Sequence, residues 1–282
     1  YYTETSAIYQ YDNPAHAQVT GKTTTGSDNV TCFTFYKYPL DYAAGEATGD
    51  EMTEAIKKMQ ADHIVNLPVE VIDKKGDIIT GAVLNRYKVS GNHVYPSEGC
   101  RAVFHTPVNS AGFIVSEINS SNCFVSDSHY SEQVYYDSFD AVGNLLEYHN
   151  KDNIYTSLIW GYDNAYLIAK TESSRPAEVF HTSFEEEPGA TVDLDRSKSG
   201  ESYLRLTTVY LVPKTFPAGT YYLSYAWKER LADPWQWLTE ENTLSGDATI
   251  STSKSAGYID ELRVCPKNGQ MTTCTYEPQI GR

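Results

Sequence analysis

Two carboxylates are the first residues in the sequence whose type and placement could bind a ligand. Glu185 opens a run of three glutamates at the end of a predicted strand, and Asp260 lies in a later predicted strand. Because the first and last strands of a β-sandwich are often neighbours, we expect the two side chains to approach each other. Hard anionic oxygens near backbone carbonyls suit Ca²⁺, which takes six to eight oxygen ligands. The sequence therefore suggests a structural Ca²⁺ site at Glu185 and Asp260, although spacing alone favours a solvated acidic edge.

Aromatic side chains form a second candidate site, because sugar rings stack on aromatic faces. Trp235 and Trp237 lie beside Asp233-Pro234 in a loop-like stretch, and we predict that they bind a glycan, with Tyr222 as a further contact. The alternative is packing in a core. Alternation along a strand puts four aromatic and aliphatic neighbours on one face, which we assign to the core: Tyr221, Leu223, Tyr225 and Trp227.

No catalytic residue is predicted. The seven histidines are scattered, and the sequence has no HExxH, no paired CxxC, no Gly-x-Ser-x-Gly and no phosphate-binding glycine loop. A nucleophile could be built from Cys100 or Cys123 with His105 or His129. Any chain with five cysteines and seven histidines offers such pairs, so we expect a protein that is not an enzyme.

The five cysteines give information on the cellular compartment of the protein. Cys265 and Cys274 flank a short turn containing Pro-Lys-Asn-Gly, and they could form a disulfide if the flanking segments are paired strands. Cys32, Cys100 and Cys123 leave one more possible pair and a free thiol. This pattern favours an oxidising, extracytoplasmic location.

Composition narrows the classes of partner. The 282 residues carry 22 Lys and Arg against 37 Asp and Glu, a formal charge of −15. Such a surface repels polyanions, so nucleic acid and anionic membrane are poor partners. No apolar run approaches the roughly 20 residues that span a bilayer, so membrane insertion is not expected. The chain begins at Tyr1 without a Met or a signal-peptide pattern, which suggests a processed or excised piece.

Short alternating segments separated by turn residues predict an all-β fold. Residues 69–72 and 78–87 flank the turn Asp-Lys-Lys-Gly-Asp, and the same pattern recurs in residues 133–137, 145–148 and 155–160. One segment differs, because Met52, Ile56 and Met59 have helical spacing. We predict a single short amphipathic helix over residues 50–62, capped by Asp50.

A polar stretch over residues 171–177 suggests a domain boundary. Five further strands are predicted beyond it, over residues 179–185, 202–208, 220–227, 247–253 and 258–264. Their spacing is typical of a β-sandwich. We therefore expect an extended antiparallel sheet in residues 1–176, a β-sandwich in residues 177–267, and a return to the first sheet in residues 268–282.

The first and last of these segments resemble RHS/YD-repeat proteins of the Bacteroidetes type, in the region that precedes the regular repeats. The resemblance is carried by residues 59–70 (MQADHIVNLPVE), 135–145 (YYDSFDAVGNL), 160–169 (WGYDNAYLIA) and 272–282 (TTCTYEPQIGR). It implies a spiral β-sheet shell in a large secreted or cell-surface protein, often a polymorphic toxin that packages a C-terminal effector. Where aromatic residues are expected around the final turn, the chain has Cys265 and Cys274, which strengthens the disulfide hypothesis.

Residues 178–266 resemble jelly-roll carbohydrate-binding modules with a galactose-binding-like sandwich. The carriers are residues 183–185 (SFE), 198–206 (KSGESYLRL), 217–224 (PAGTYYLS) and 258–262 (YIDEL). In those modules the residues matching Glu185 and Asp260 help to hold a structural Ca²⁺. The segment here is shorter than those modules, so the resemblance implies their fold rather than their sugar cleft.

These features lead to two expectations for function. The first is a structural segment of a secreted or surface-displayed RHS-type protein, forming shell wall or plug, whose partners are the rest of the shell and its effector. The alternative is a glycan-binding module that acts through Trp235, Trp237 and Tyr222.

Overall fold

The protein is described from a computed structural model, in which residues 5–27, 29–43 and 49–276 are placed. The chain forms two compact units, residues 1–136 and 137–282. Both are built from antiparallel strands, so the predicted all-β class is confirmed. The described residues also contain one α-helix, α1 (Glu51–Ala61), and 3₁₀ turns at Pro39–Asp41, Ser110–Gly112 and Pro176–Glu178. The described part of the chain contains no helix long and apolar enough to cross a bilayer.

The first unit is an antiparallel sheet whose first six strands pair in chain order. Its strands are β1 (Ser6–Gln10), β2 (Gly21–Thr25), β3 (Thr31–Lys37), β4 (Glu70–Lys75), β5 (Ile78–Ser90), β6 (His93–Ala102), β7 (Val108–Asn109), β8 (Glu117–Ile118), β9 (Phe124–Val125) and β10 (Tyr130–Phe139), the last of which runs past the unit boundary. The order in the sheet is β1-β2-β3-β4-β5-β6-β10, with β7 on β5, while β8 and β9 form a separate pair. The predicted hairpin around the Asp-Lys-Lys-Gly-Asp turn is formed by β4 and β5.

Helix α1 packs on this sheet and confirms the predicted helix. The Asp50 carboxylate accepts the Thr53 backbone N–H at 2.9 Å, as the capping prediction requires. Met52, Ile56 and Met59 are buried on one face, and they share a core with residues of β5 such as Leu84. The helix therefore covers one face of the sheet by apolar packing.

A buried polar network lies beside this core. The Glu70 carboxylate accepts the backbone N–H and the hydroxyl of Ser116 at 2.9 and 2.7 Å, and the Tyr130 hydroxyl at 2.7 Å. The Tyr42 hydroxyl reaches the Ser116 hydroxyl at 2.7 Å. The Lys37 ammonium donates to the Ser116 carbonyl and lies 4.3 Å from the centroid of the Tyr42 ring. Every one of these groups is thus hydrogen-bonded, as burial demands.

The second unit contains three sheets. Its strands are β11 (Leu145–Asn150), β12 (Tyr155–Gly161), β13 (Tyr166–Glu172), β14 (Phe180–Thr182), β15 (Thr191–Val192), β16 (Ser202–Leu206), β17 (Leu211–Phe216), β18 (Gly219–Lys228), β19 (Gln236–Leu244), β20 (Ala248–Ser251), β21 (Gly257–Pro266) and β22 (Gln270–Thr273). Strands β11, β12, β13 and β22 are neighbours in that order. A six-stranded sheet has the order β15-β16-β21-β18-β19, with β14 also on β21, and β17 pairs with β20.

One core lies between the six-stranded sheet and the β17–β20 pair. Tyr221, Leu223 and Tyr225 of β18 are buried there, as predicted, together with Phe216 of β17 and Ile250 of β20. Trp227, also predicted for this face, packs against the core as a partly buried side chain. The jelly-roll sandwich suggested for this region stays a prediction.

Strand β19 corrects the loop-like interpretation of the tryptophan segment. Trp235 lies just before β19, and Trp237 lies within it. Strand β19 pairs with β18 without a break, from the pair Gly219–Leu244 to the pair Trp227–Gln236. The strand was not predicted from the sequence, because glutamates are disfavoured in strands. Here Glu240 accepts the Tyr225 hydroxyl, so the carboxylate is accommodated on the strand.

The chain leaves the β12–β13 hairpin after Glu172, forms the six-stranded sheet, and then comes back. After β21 it turns at Gly269 and adds β22 alongside β13, in register from Ala169–Thr273 to Glu172–Gln270. The division between the two compact units falls inside β10, and the domain boundary expected near residue 176 lies within the second unit. The proposed domain limits stay predictions.

Candidate functional site

Asp260 anchors one end of a short loop in the second unit. This loop, residues 198–202, is called the clamp loop below. One Asp260 oxygen accepts the backbone N–H groups of Lys198 and Ser199 at 2.7 and 3.3 Å, and the other accepts that of Glu261 at 2.7 Å. Asp260 is fully buried, and burial raises its pKa to about 7 in spite of these three donors.

Glu185 anchors the other end of the clamp loop. Its Oε1 accepts the backbone N–H groups of Glu201 and Ser202 at 2.9 and 3.0 Å. Burial raises the pKa of this carboxyl above its usual range as well. Gly200, between the two anchor points, has φ +60°, and a Cβ there would lie 2.2 Å from Glu185 Oε1. The glycine is therefore required both by its conformation and by the close approach of the carboxylate.

A β-bulge in β21 sets the position of Asp260. Between the pairs Ser224–Arg263 and Ala226–Asp260, two residues of β21 stand against one residue of β18. One of the two, Glu261, has a left-handed backbone with φ +52°. Its carboxylate accepts the hydroxyls of Ser199 and Thr275, the latter at 2.6 Å. Bulges redirect side chains in this way, and they are frequent beside ligand sites.

The Ca²⁺ site expected at Glu185 and Asp260 stays a prediction. Both residues supply hard anionic oxygens of the kind that Ca²⁺ binds, and burial raises the pKa of Asp260. An ionised carboxylate has about four lone-pair sites, so bonds to backbone N–H groups do not occupy it fully. Glu185 and Asp260 contact opposite ends of the same loop. Their donors, however, are N–H groups, so in this structure the two carboxylates hold the clamp loop directly.

The two glutamates after Glu185 also hold backbone and side-chain donors. Glu186 accepts the backbone N–H groups of Tyr162 and Asp163 at 2.6 and 3.0 Å, where both residues have left-handed backbones. Glu187 accepts the Tyr210 hydroxyl at 3.3 Å. All three glutamates of the run thus accept hydrogen bonds, while Glu186 stays exposed to solvent. The run lines part of a cavity of about 270 Å³ in the second unit.

The three predicted glycan contacts are in different environments. The Trp235 indole donates to the Arg196 carbonyl at 3.2 Å, and the Lys228 ammonium lies 4.1 Å from the centroid of its ring. Trp237 is 48% exposed, with the Arg263 guanidinium 4.7 Å from its ring centroid.

Tyr222 is half-buried below the ammonium of Lys267, which lies 5.9 Å from its ring centroid. The pairing of β18 with β19 puts Tyr222 and Trp237 on the same face of the sheet. They are separated by about 13 Å along the strands, at roughly 3.3 Å per residue.

The predicted disulfide is absent from the structure, in which Cys265 and Cys274 are free thiols. The two residues belong to different hydrogen-bonding ladders. Cys265 lies opposite Tyr222 within the six-stranded sheet, whereas Cys274 follows β22 and its N–H donates to the Ile168 carbonyl at 2.9 Å. Cys32, Cys100 and Cys123 are free as well.

In the first unit, Cys100 lies in a cluster with Glu98 and Glu132 whose ligand atoms could hold a metal ion. The Arg86 guanidinium already bridges the two carboxylates, at 2.9 and 3.3 Å. Burial raises the pKa of the Cys100 thiol to about 11, so it stays protonated. This cluster is accounted for by its own ion pairs.

Sequence reasoning assigned no role to Glu186, Glu187 and Glu261, which accept hydrogen bonds around the clamp loop and the adjacent cavity. The glutamate run was a usable signal, because three consecutive carboxylates after a strand need separate partners. Glu261 gave no signal, since a bulge residue cannot be recognised by spacing. A comparison of the chain with protein-family models, curated proteins and solved structures finds no match.

Proposed function

We propose that the chain is a non-catalytic structural segment of a larger secreted or surface-displayed polypeptide of RHS type, in which its strands contribute to shell wall or plug. The observation that carries this proposal is the edge strand β1. Among the described residues β1 pairs on one side only, with β2. All five of its residues are exposed, including Ile8 at 64% and the adjacent Tyr9.

An exposed edge with apolar side chains is a template for another strand, and natural proteins usually protect such edges with charge, proline or a bulge. Strand β1 has no charged residue and no proline. We therefore assign this edge to pairing with a neighbouring strand of the complete polypeptide. Three acidic side chains also support a structural role, because buried Glu70 and Asp260 and half-buried Glu185 accept hydrogen bonds from backbone and hydroxyl donors.

The test uses the tendency of the isolated chain to pair through β1. We expect concentration-dependent association in light scattering, and we expect Ile8→Lys to reduce it because a charge blocks edge pairing. The matched control is Val142→Lys, an equally exposed aliphatic residue in the turn before β11. A wild-type chain that stays monomeric at all concentrations, or equal effects of both variants, would contradict the proposal.

A glycan-binding function is the second candidate, favoured by the exposure of Trp237. Arg263 beside its ring and Glu241 opposite Tyr222 place hydrogen-bonding groups next to the two aromatic residues on one face. The test is a glycan array followed by calorimetry with Trp237→Ala. Binding that this variant abolishes supports the module, and absence of binding across a broad panel favours the scaffold. Trp235→Ala is expected to act through lost packing.

A further inference from the structure

We propose that a cavity in the first unit binds a small aromatic monocarboxylate, of which 3-phenylpropanoate is an example. This cavity, called the apolar cavity below, has a volume of about 180 Å³ and lies between β3, β4, β5 and the segment that follows β7. All of its lining residues are hydrophobic except Lys74 and Ser110. An apolar cavity of about 150 Å³ is large enough to bind benzene, so the volume here fits one aromatic ring.

Part of the lining is a rigid wall that belongs to a hydrophobic core. Ile72, Ile79 and Phe113 are buried and pack in one cluster. The Phe113 ring also makes edge contacts with the rings of Phe104 and Tyr130, at centroid distances of 6.1 and 5.8 Å. Because these contacts hold the wall in place, the site is preformed and a ligand does not have to order it.

A β-bulge gives the wall its apolar character beside Lys74. The register of β4 with β5 shifts between Asp73 and Lys74, so that Thr80 is an extra residue on β5. An unbroken ladder would place Thr80 opposite Lys74, whereas the bulge places Ile79 there. Ile79 is accordingly buried and Thr80 is exposed. Bulges redirect side chains in this way beside ligand sites.

The remaining hydrophobic lining is partly open to solvent. Phe33 and Phe35 of β3 are half-buried, and Val115 is 41% exposed. A ring can therefore enter from this side and cover apolar surface that is otherwise in contact with water. Removal of that surface from water favours binding, and ring-to-ring contacts with the phenylalanines add to it.

Lys74 determines the charge of the ligand. Its ammonium lies 5.0 Å from the centroid of the Phe33 ring. In the part of the chain that the structure describes, Lys74 forms no ion pair, and the described lining of the apolar cavity includes no aspartate or glutamate. An ammonium beside an apolar cavity is complementary to a carboxylate, to which the Ser110 hydroxyl can also donate.

The single lysine also limits how much negative charge the ligand carries. The chain has a formal charge of −15, so it repels anions in general, and one ammonium offsets one negative charge. We therefore expect a monocarboxylate to bind in preference to a dianion. The ligand class that combines this charge with the volume and the aromatic lining is a small arylalkanoic acid.

The first experiment titrates the 282-residue chain, carrying ¹³C in its isoleucine methyl groups, with 3-phenylpropanoate at constant ionic strength. The methyl resonances of Ile72 and Ile79 report on the apolar cavity, and that of Ile250, in the core of the second unit, is the internal control. We expect saturable shifts at Ile72 and Ile79 and none at Ile250. Absence of saturable shifts at the first two residues, or equal shifts at all three, would overturn the proposal.

Two further ligands separate the ring from the charge. The neutral 3-phenylpropanamide should bind about fivefold more weakly than the acid, because a partly exposed ion pair is lost. Propanoate has the charge without the ring, and we expect no saturable binding over the same concentration range. Equal affinities of acid and amide would contradict recognition by Lys74, and equal affinities of the acid and propanoate would contradict recognition of the ring.

Variants of two neighbouring lysines then test the position of the charge. Lys74→Met keeps an unbranched apolar stem without the ammonium, so the affinity for the acid should fall to that for the amide. Lys75→Met is the matched control, because it loses the same charge from the adjacent residue of β4, whose side chain points to the opposite face of the sheet. It should keep the fivefold preference. An unchanged preference in Lys74→Met, or its loss in both variants, would overturn the proposal.

Phe33→Ala tests the aromatic part of the site. We expect it to weaken the acid and the amide by the same severalfold factor, because it removes a ring from the lining and leaves Lys74 in place. Unchanged affinities for both ligands would contradict binding in the apolar cavity.

Discussion

Glu70 in the first unit and Asp260 in the second are both fully buried acids, yet their surroundings differ in kind. Glu70 accepts two hydroxyl groups and one backbone N–H, and the charge of Lys37 acts on it from nearby. Asp260 accepts three backbone N–H groups, two of them from the clamp loop. The charge of Asp260 also acts on Lys228. The Lys228 ammonium donates to the Arg196 carbonyl at 2.9 Å.

The two acids differ in whether their hydrogen-bond donors can rearrange when the carboxylate gains or loses a proton. Hydroxyls rotate and can donate or accept, so the Glu70 network can rearrange locally. Backbone N–H groups can only donate. A protonated Asp260 therefore offers them a poorer acceptor, whereas an ionised Asp260 carries a charge that burial disfavours. We therefore expect the first network to act as fixed structure, and the clamp loop to respond to pH and to cations.

The largest effect expected is that of Glu70→Ala. The substitution leaves the Ser116 and Tyr130 donors without their acceptor, and it removes the acid whose charge acts most strongly on Lys37. We expect the free energy of unfolding to fall by about 4 kcal/mol. Urea unfolding measures it, and Glu241→Ala at the exposed pair with Lys267 should cost less than about 1 kcal/mol. Equal losses in the two variants would remove the distinction between buried network and surface.

The next effect is the pH dependence of stability that Asp260 confers. Its pKa is about 7 in the folded protein, against about 3.9 in an unfolded chain. The folded state therefore holds the proton more tightly. The contribution of Asp260 to stability is fully present below about pH 4 and is lost as the pH rises through 7. Between about pH 5 and pH 8 this loss amounts to roughly 3 kcal/mol.

Asp260→Asn isolates this contribution, because the amide does not titrate. We expect the unfolding free energy of the wild type to decrease with pH relative to that of the variant. Asp233→Asn, in the turn between β18 and β19, serves as the control and should follow the wild-type curve. If the wild type and Asp260→Asn show parallel pH profiles, Asp260 does not respond to pH and the contrast with Glu70 fails.

Ca²⁺ should reverse this pH penalty if Glu185 and Asp260 hold it. A ligand that binds only the folded state stabilises it by about 2.7 kcal/mol at a hundredfold excess over Kd. We expect a higher melting temperature with Ca²⁺ than with a chelator at about pH 8, and a smaller difference in Glu185→Gln. A melting curve unchanged by chelation, with no metal found by elemental analysis, would remove the metal prediction and leave the clamp loop held by its hydrogen bonds alone.

The elements that follow from local pattern were predictable from the sequence. The helix over Glu51–Ala61 came from the spacing of three apolar residues and a capping aspartate, and the β4–β5 hairpin came from its turn residues. Strand β19 was not recognised, because its glutamates interrupt the alternation of apolar and polar residues. The partners of those glutamates, such as Tyr225, are distant in sequence. Local propensity cannot show a partner on another strand.

The candidate site was also predictable only in part, because some of its contacts depend on residues distant in sequence. Glu185 and Asp260 were selected because the first and last strands of a β-sandwich are often neighbours, which would bring two carboxylates together. The clamp loop between them was not, since it depends on a bulge at Glu261 and a left-handed glycine at position 200. Cys265 and Cys274 are unbonded in the structure, where the two strands next to them pair with different partners although they are adjacent in sequence.

The smallest effect expected tests how far the Glu70 network adapts. Tyr130→Phe removes one of the three donors to Glu70 and leaves the ring in its core position. Burial, together with the charge of Glu70, raises the pKa of the Tyr130 hydroxyl, so the hydroxyl is a neutral donor at every pH of the experiment. Because Ser116 still donates twice, we expect a loss of about 1 kcal/mol, measured by urea unfolding. A loss close to that of Glu70→Ala would show a network as rigid as the clamp loop, and the contrast between the two acids would then rest on Lys37 alone.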